Sequence, residues 1–162
     1  MLRYSTLAFA LLTLPIGASA QPTQVDLSTV RVENDRSETT RLDRLIGAKT
    51  ILHLWATWCR PCREELPELE AFADAYGLEE QLVLVSIDTM SMINIDAFLD
   101  DLDVDLPTYR QVKGNVGTAL TILGYPSTLV VDVNGAVLFR KQGAVDWGDP
   151  DQAAHLLELL SP

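Results

Sequence analysis

The spacing of apolar residues predicts that strands and helices alternate along most of the chain. Segments 50–56 (TILHLWA) and 81–88 (QLVLVSID) are almost continuously apolar, which is typical of central strands buried on both faces. Between them, apolar residues at helical spacing predict a helix from Cys59 to Tyr76, which contains Pro67 and ends at Gly77. Similar spacing predicts a helix over 93–102 and a shorter one over 114–123.

Turn and capping residues define the two ends of this alternation. Asn134-Gly135, between apolar stretches 127–132 and 136–141, predicts an antiparallel hairpin. Asp149 and Pro150 are residue types that favour a helix start, so we expect a closing helix that reaches Leu160. Before the first central strand, 24–32 predicts an edge strand, 34–40 a loop and 42–47 a short helical turn. This order indicates one α/β layered domain with a parallel core and a terminal hairpin.

The first twenty residues have a different pattern. Arg3 precedes an apolar run over 7–16, which ends in Ala18-Ser19-Ala20. This is the layout of a cleavable secretory signal, and the run is too short to span a bilayer. We therefore expect a signal over 1–20 and a domain over 21–162, exported and without stable membrane insertion after cleavage. A retained anchor is the alternative.

Charge restricts the partners more than it restricts the fold. The formal net charge is −11, and it becomes −12 when Arg3 leaves with the signal. Such a chain is repelled by nucleic acid and by anionic lipid, so nucleic acid is excluded as a partner. An electrostatically steered partner should be basic.

The candidate chemistry lies in the stretch 55–62 (WATWCRPC), which leaves a buried strand and opens a helix. Cys59 would lie at the helix N-terminus, where free amides and the helix dipole favour a thiolate, the species that attacks disulfides. Cys62 would lie one turn further on and more buried, so we assign it as the resolving thiol. A structural disulfide and half of a zinc site are the alternatives, although zinc needs about four ligands.

These residues resemble a known family. The motif 58–62 (WCRPC), Pro67 and the segment 124–128 (GYPST) are similar to the thioredoxin superfamily. The fuller pattern from Trp55 to Pro67 resembles its TlpA/ResA-like branch of extracytoplasmic thiol–disulfide oxidoreductases, several of which serve cytochrome c maturation. The resemblance implies a three-layer thioredoxin-like fold, with a mixed central sheet and helices on both faces. The 38 positions from Asp88 to Pro126 leave room for the inserted helix of that branch before the proline loop.

The resemblance also implies roles for individual residues. Pro126 would follow a cis peptide bond and face the disulfide, and the backbone of Tyr125 would pair with an extended substrate. Trp58 would join them in substrate binding, with Arg60 and Pro61 in support.

Two further residues are hypotheses about proton handling. His53 stands where thioredoxins carry a buried aspartate, and it would either accept the proton of Cys62 or simply pack as a neutral ring. Asp88 would be the acid that ResA-like proteins have in the active-site region.

We therefore expect an exported, periplasmic, monomeric thiol–disulfide oxidoreductase without a cofactor or metal. Its partners would be protein thiols or disulfides and an extracytoplasmic electron donor. A reductant of protein disulfides is the first hypothesis. The alternatives are a periplasmic oxidant and a copper- or metal-handling chaperone that uses the cysteines as ligands.

Overall fold

The computed structural model of the chain describes residues 23–161. The expected secretory signal over 1–20 lies outside the described residues. Eight strands and four α-helices follow one another in the order β1 Thr23–Gln24, β2 Arg31–Glu33, β3 Thr39–Arg41, β4 Lys49–Trp55, α1 Arg60–Tyr76, β5 Leu82–Ser86, α2 Met92–Asp100, β6 Thr108–Lys113, α3 Val116–Ala119, β7 Ser127–Asp132, β8 Ala136–Gln142 and α4 Pro150–Leu160. Within the described range, no helix is both long and apolar enough to cross a membrane.

All eight strands form one mixed sheet in the order β1-β8-β7-β4-β5-β6-β2-β3. β4, β5 and β6 run parallel, whereas β7 pairs antiparallel with both β4 and β8. The buried strand β4 therefore lies between β5 and β7. This arrangement confirms the predicted parallel core and terminal hairpin.

Side chains of β4 alternate between two apolar cores, one on each face of the sheet. Ile51 and Trp55 belong to the core that includes residues of α1, α2 and α4. Leu52 and Leu54 belong to the core that includes residues of α3. The continuous apolar run in the sequence thus reflects a strand that is covered on both faces.

The start of the chain corrects one expectation. Residues 24–32 do not form a single edge strand, because β1 pairs with β8 at one end of the sheet and β2 pairs with β6 near the other. The expected loop over 34–40 ends in β3, which pairs with β2. β6 was not predicted from the sequence, since only one of its six residues is buried and the others, partly buried or exposed, form no apolar run.

Three of the helices match their predicted positions closely, whereas the helix expected over 114–123 is limited to the four residues of α3. α1 ends at Gly77, whose φ of 61° is the left-handed conformation that glycine adopts without a Cβ penalty. α4 begins after Asp149, whose carboxylate accepts a hydrogen bond from the amide of Asp151. The inserted helix α2 lies on the Trp55 face, where Phe98 stacks on Trp55 with ring centroids 6.1 Å apart. The insertion therefore packs directly against the motif that carries the cysteines.

Candidate active site

Cys59 and Cys62 form a disulfide at the start of α1. Cys59 is the N-cap residue, and the amide of Cys62 donates a hydrogen bond to its sulfur at 3.3 Å. Cys59 is 5% exposed and Cys62 is fully buried. Because a helix N-terminus favours negative charge, the sulfur of Cys59 is the one placed to be a thiolate, and Cys62 is the more shielded of the two.

The two residues between the cysteines have different environments. Pro61 lies in the first turn of α1, where its missing N–H leaves no helical hydrogen bond unmade. Arg60 is exposed, and its guanidinium donates to Glu64 at 2.8 Å. Arg60 therefore presents a partly neutralised positive charge beside the disulfide.

Asp88 holds the loop that carries the motif. Its carboxylate accepts hydrogen bonds from the amide and the hydroxyl of Thr57, both at 2.9 Å, and from the hydroxyl of Ser86 at 2.8 Å. Asp88 is 4% exposed, so these bonds are shielded from water. The contacts fix the loop between β4 and α1 to the end of β5.

Trp58, which precedes Cys59, contacts Tyr125, which precedes Pro126. The Tyr125–Pro126 peptide bond is cis, as the family resemblance implies. The ring of Trp58, which is 65% exposed, meets the ring of Tyr125 edge-on at 6.2 Å. The segment before Pro126 therefore lies next to the segment before Cys59.

His53 lies in a buried polar cluster in the middle of β4. One ring nitrogen, Nδ1, is 3.0 Å from the hydroxyl of Thr128, and the other, Nε2, is 3.4 Å from Oε1 of Glu65. The second carboxylate oxygen of Glu65 accepts from the amide of Val145 at 3.1 Å. The indole Nε1 of Trp147 lies beside the same carboxyl group. Both nitrogens of His53 are thus directed at named partners.

Burial drives both members of the His53–Glu65 pair toward their neutral forms. It lowers the pKa of His53 to about 3. It also raises the pKa of Glu65 to about 7, although the amide of Val145 opposes this shift. Between these two pKa values the imidazole of His53 is neutral and the carboxyl group of Glu65 is protonated. The carboxyl O–H can then donate a hydrogen bond to Nε2. That assignment supplies a partner for both His53 Nε2 and Glu65 Oε1, which otherwise have none among the described residues.

Sequence reasoning missed Glu65. A signal was available, because Glu65 shares helical spacing with Cys62, Leu66 and Leu69 on the buried face of α1. It was a carboxylate at an apolar position one turn after the second cysteine. Its partner His53 was identified, but the pairing depends on how β4 packs against α1.

No group of three or more potential metal-ligating side chains occurs in residues 23–161. The site combines the Cys59–Cys62 disulfide, the buried His53–Glu65 pair and the aromatic contact of Trp58 with Tyr125. This set suits thiol–disulfide exchange, in which a thiolate attacks a disulfide and a second thiol must lose a proton.

Comparisons with known proteins agree with this geometry. Residues 18–140 match the model of the AhpC/TSA family. The thioredoxin-like protein YneN of Bacillus subtilis is 32% identical over 93 residues, 56% of this chain and 54% of the relative. The thiol-disulfide oxidoreductase ResA of Oceanobacillus iheyensis is 32% identical over 120 residues, 74% of this chain and 62% of the relative. The chain thus spans between about half and two thirds of the length of these relatives.

A solved structure extends the likeness to the fold. The crystal structure of a putative thiol:disulfide interchange protein DsbE from Chlorobium tepidum superposes with a TM-score of 0.69 at 22% identity. The match covers 86% of this chain and 99% of that one. The thioredoxin-like fold that the motifs imply is therefore confirmed.

Proposed function

This chain belongs to the AhpC/TSA family, and from that premise we propose that it is a thiol–disulfide oxidoreductase whose redox centre is Cys59 and Cys62. The observation that carries the proposal is the placement of the pair, with Cys59 capping α1 and Cys62 buried one turn inside it. Relatives named as thiol-disulfide oxidoreductases support the reaction class.

The proposed reaction has two exchange steps. The Cys59 thiolate attacks a substrate disulfide, forms a mixed disulfide and releases one substrate sulfur, which takes up a proton. Cys62 then loses its proton and attacks the Cys59 sulfur, which closes the protein disulfide and releases the second substrate thiol. Two electrons pass from the protein to the substrate, and the reverse sequence describes oxidation.

Proton transfer from Cys62 is the part of this reaction that the buried pair would serve. We assign the deprotonated carboxylate of Glu65, which is present near and above its raised pKa of about 7, as the acceptor of the Cys62 proton. Glu65 lies one helical turn from Cys62 on the same buried face of α1. His53 is the positioning residue, since its Nε2 accepts from the protonated carboxyl group. This proposal routes the proton to Glu65 rather than directly to His53, and the support for it is that the two ring nitrogens of His53 face Glu65 and Thr128.

The assignment is tested by measuring the two steps separately. A Cys62→Ser background reports attack by Cys59 alone. His53→Leu and Glu65→Gln should each slow resolution at least tenfold while changing attack little, as expected for lost general-base catalysis. Equal slowing of both steps in each variant would assign the pair to packing only.

Substrate binding would use the surface beside the disulfide. The backbone of Tyr125 would pair with an extended substrate chain, and Trp58 and Pro126 would flank it. Arg60 and Pro61 would support the redox pair by their places in the first turn of α1, and Asp88 by holding Thr57.

We further propose that the protein is an exported, periplasmic, monomeric reductant of protein disulfides, supplied by an extracytoplasmic electron donor. Its similarity to proteins named ResA and DsbE supports this assignment, as does the signal-like segment over 1–20. Cytochrome c maturation is the task that the family resemblance suggests.

The equilibrium reduction potential against glutathione tests the direction of transfer. A value near about −270 mV would support a reductase, whereas one near about −120 mV would indicate an oxidant. A pair that neither reduces nor re-forms in glutathione buffers would contradict the proposed function altogether. N-terminal sequencing of the secreted protein tests export, with Gln21 expected as the first residue.

A further inference from the structure

A groove lies along the later half of α1, against the loop that leads into α4. Its volume is about 430 Å³, and its lining includes Glu68, Phe72, Tyr76, Asp146 and Trp147. Among the residues that the structure describes, the lining includes none from the motif 55–62 or the segment 124–128. Glu68 follows Cys62 by six positions on α1, which places it about 9 Å further along the helix axis. We call this groove the distal groove.

Three aromatic rings form one wall of the distal groove. Phe72 and Tyr76 are one helical turn apart on the same face of α1, and their ring centroids are 5.1 Å apart. The ring of Phe72 is also 5.1 Å from that of Trp147 in the loop. Phe72 and Trp147 are each 4% exposed, whereas Tyr76 is 50% exposed. Tyr76 is therefore the ring that a ligand can cover.

The groove also carries negative charge that is not neutralised by the protein itself. Glu68 and Asp146 are both exposed, and neither forms an ion pair within residues 23–161. The carboxylate of Asp146 accepts a hydrogen bond from the amide of Gly148 at 3.2 Å, which holds it in the loop. No lysine or arginine of the described chain lines the groove. An aromatic face beside free carboxylates attracts a cation and repels an anion.

These properties favour the guanidinium group of arginine over other cations. A guanidinium is planar, stacks on aromatic rings and donates hydrogen bonds to carboxylates, whereas the ammonium of lysine is more strongly hydrated. A volume of about 430 Å³ is in the range of sites that bind small ligands, so a side chain and the backbone beside it can enter. A second copy of this chain is a poor occupant, because both copies carry a net charge of −11.

We propose that the distal groove docks an arginine side chain of a partner protein, with the guanidinium stacked on Tyr76 beside the carboxylates of Glu68 and Asp146. Because no residue of the cysteine motif lines the groove, this contact is additional to any that a substrate makes at Cys59. The inference goes beyond the proposed function and does not depend on it, since docking requires no thiol chemistry.

Cysteine-free peptides test the inference on the oxidised protein. Each peptide is acetylated, amidated and glycine-flanked, and carries one arginine, one lysine or one citrulline, which has the shape of arginine without its charge. Titrations are followed by NMR on the nitrogen-labelled protein at about 10 mM salt, where attraction between charges is screened little. The arginine peptide should saturably shift the indole N–H of Trp147 and the amide of Tyr76. The lysine peptide should bind at least about threefold more weakly, and the citrulline peptide should not bind.

Two variants and a matched control locate the site. Tyr76→Leu keeps an apolar side chain but removes the ring, and it should weaken binding of the arginine peptide about twofold to fivefold. The double variant Glu68→Gln/Asp146→Asn should weaken it about threefold to tenfold. The control Asp101→Asn/Asp103→Asn changes the net charge equally at two exposed residues outside the groove. This control should bind the arginine peptide like the wild type.

Absence of saturable shifts at the groove would overturn the inference, as would equal affinity for the arginine and lysine peptides. Equal weakening in the two double variants would reduce the effect to net charge and overturn it as well. A wild type that dimerises in sedimentation equilibrium while Tyr76→Leu does not would make a second copy the occupant, which also contradicts the proposal. None of these results bears on the proposed function, because the peptides contain no sulfur and the disulfide stays closed. Failure of the cysteine pair in exchange assays would likewise leave arginine docking intact.

Discussion

At the scale of single residues, the two cysteines differ in access although they are joined to each other. Cys59 caps α1 at its exposed end, and Cys62 has no exposed surface. The helix N-terminus favours a thiolate on Cys59, whereas burial keeps reagents away from Cys62.

We therefore predict that iodoacetamide modifies Cys59 much faster than Cys62 in the reduced protein at neutral pH. A difference of at least about a hundredfold is expected, because both thiolate fraction and access favour Cys59. Peptide mapping by mass spectrometry after a short pulse measures it, and Cys59→Ser provides the control for the intrinsic reactivity of Cys62. Earlier labelling of Cys62 would reverse the assignment of attacking and resolving thiols.

The His53–Glu65 pair leads to a prediction about stability and pH. Glu65 keeps its proton in the native state up to about pH 7, whereas the unfolded carboxyl loses it near its usual pKa of 4.5. Its contribution to the free energy of unfolding therefore decreases as pH rises between those values. His53 has a native pKa of about 3 against the usual 6.5. Its contribution decreases as pH falls from 6.5, so the two contributions oppose each other between about pH 4.5 and 6.5.

Replacing one residue of the pair should reveal how the other residue alone makes the free energy of unfolding depend on pH. In His53→Leu, the free energy of unfolding should decrease with rising pH across this window relative to wild type. In Glu65→Gln it should decrease with falling pH, each by up to about 1.4 kcal/mol per pH unit. Urea unfolding at several pH values measures these slopes. Exposed His155 supplies the control His155→Leu, which should keep the wild-type profile; identical profiles in all three variants would refute the opposed shifts.

At the scale of elements, the site depends on a connection between two neighbouring strands. The motif loop follows β4 and Asp88 follows β5, and the three hydrogen bonds accepted by Asp88 join them. In addition, Phe98 of the inserted helix α2 stacks on Trp55 of the motif. The motif is thus held by elements that precede and follow it in the sequence.

We predict that Asp88→Ala lowers the free energy of unfolding by about 2–4 kcal/mol, because it leaves the amide and hydroxyl of Thr57 buried without partners. Chemical denaturation measures the loss. Asp100→Ala removes an exposed carboxylate from α2 and should change stability by less than about 0.5 kcal/mol. Similar values for the two variants would mean that Asp88 is not the tether described above.

At the scale of the whole molecule, charge should control association with substrates. With 23 acidic and 12 basic residues, the chain attracts basic partners over distances longer than any single contact. Since salt screens such attraction, the effect is accessible by changing ionic strength alone.

We predict that the reduced protein reacts faster with a lysine-rich disulfide peptide than with a glutamate-rich one at about 10 mM salt, and that this ratio falls about tenfold at about 150 mM. Stopped-flow rate constants measure it, with a neutral peptide as the salt-independent control. A ratio that does not change with salt would show that the net charge has no part in substrate choice.

What the sequence alone determined is carried by patterns that are local along the chain. The two apolar runs predict β4 and β5, Asn134-Gly135 predicts the hairpin, and the cysteine spacing at a helix start predicts the redox pair. In each case, the residues that encode the feature are neighbours in sequence. Backbone geometry and burial act on them directly, without information about distant parts of the chain.

Only the tertiary structure decided the features that join distant segments. His53 and Thr128 are 75 positions apart, yet they meet because β4 and β7 are antiparallel neighbours in that register. β6 is a strand because β5 and β2 supply its hydrogen-bond partners, and its own partly exposed residues carry no apolar pattern. Packing of α1 on the sheet likewise decided that Glu65 is the carboxyl group that faces His53. No local sequence pattern encodes such a pair, because it depends on how a helix and a distant strand are positioned.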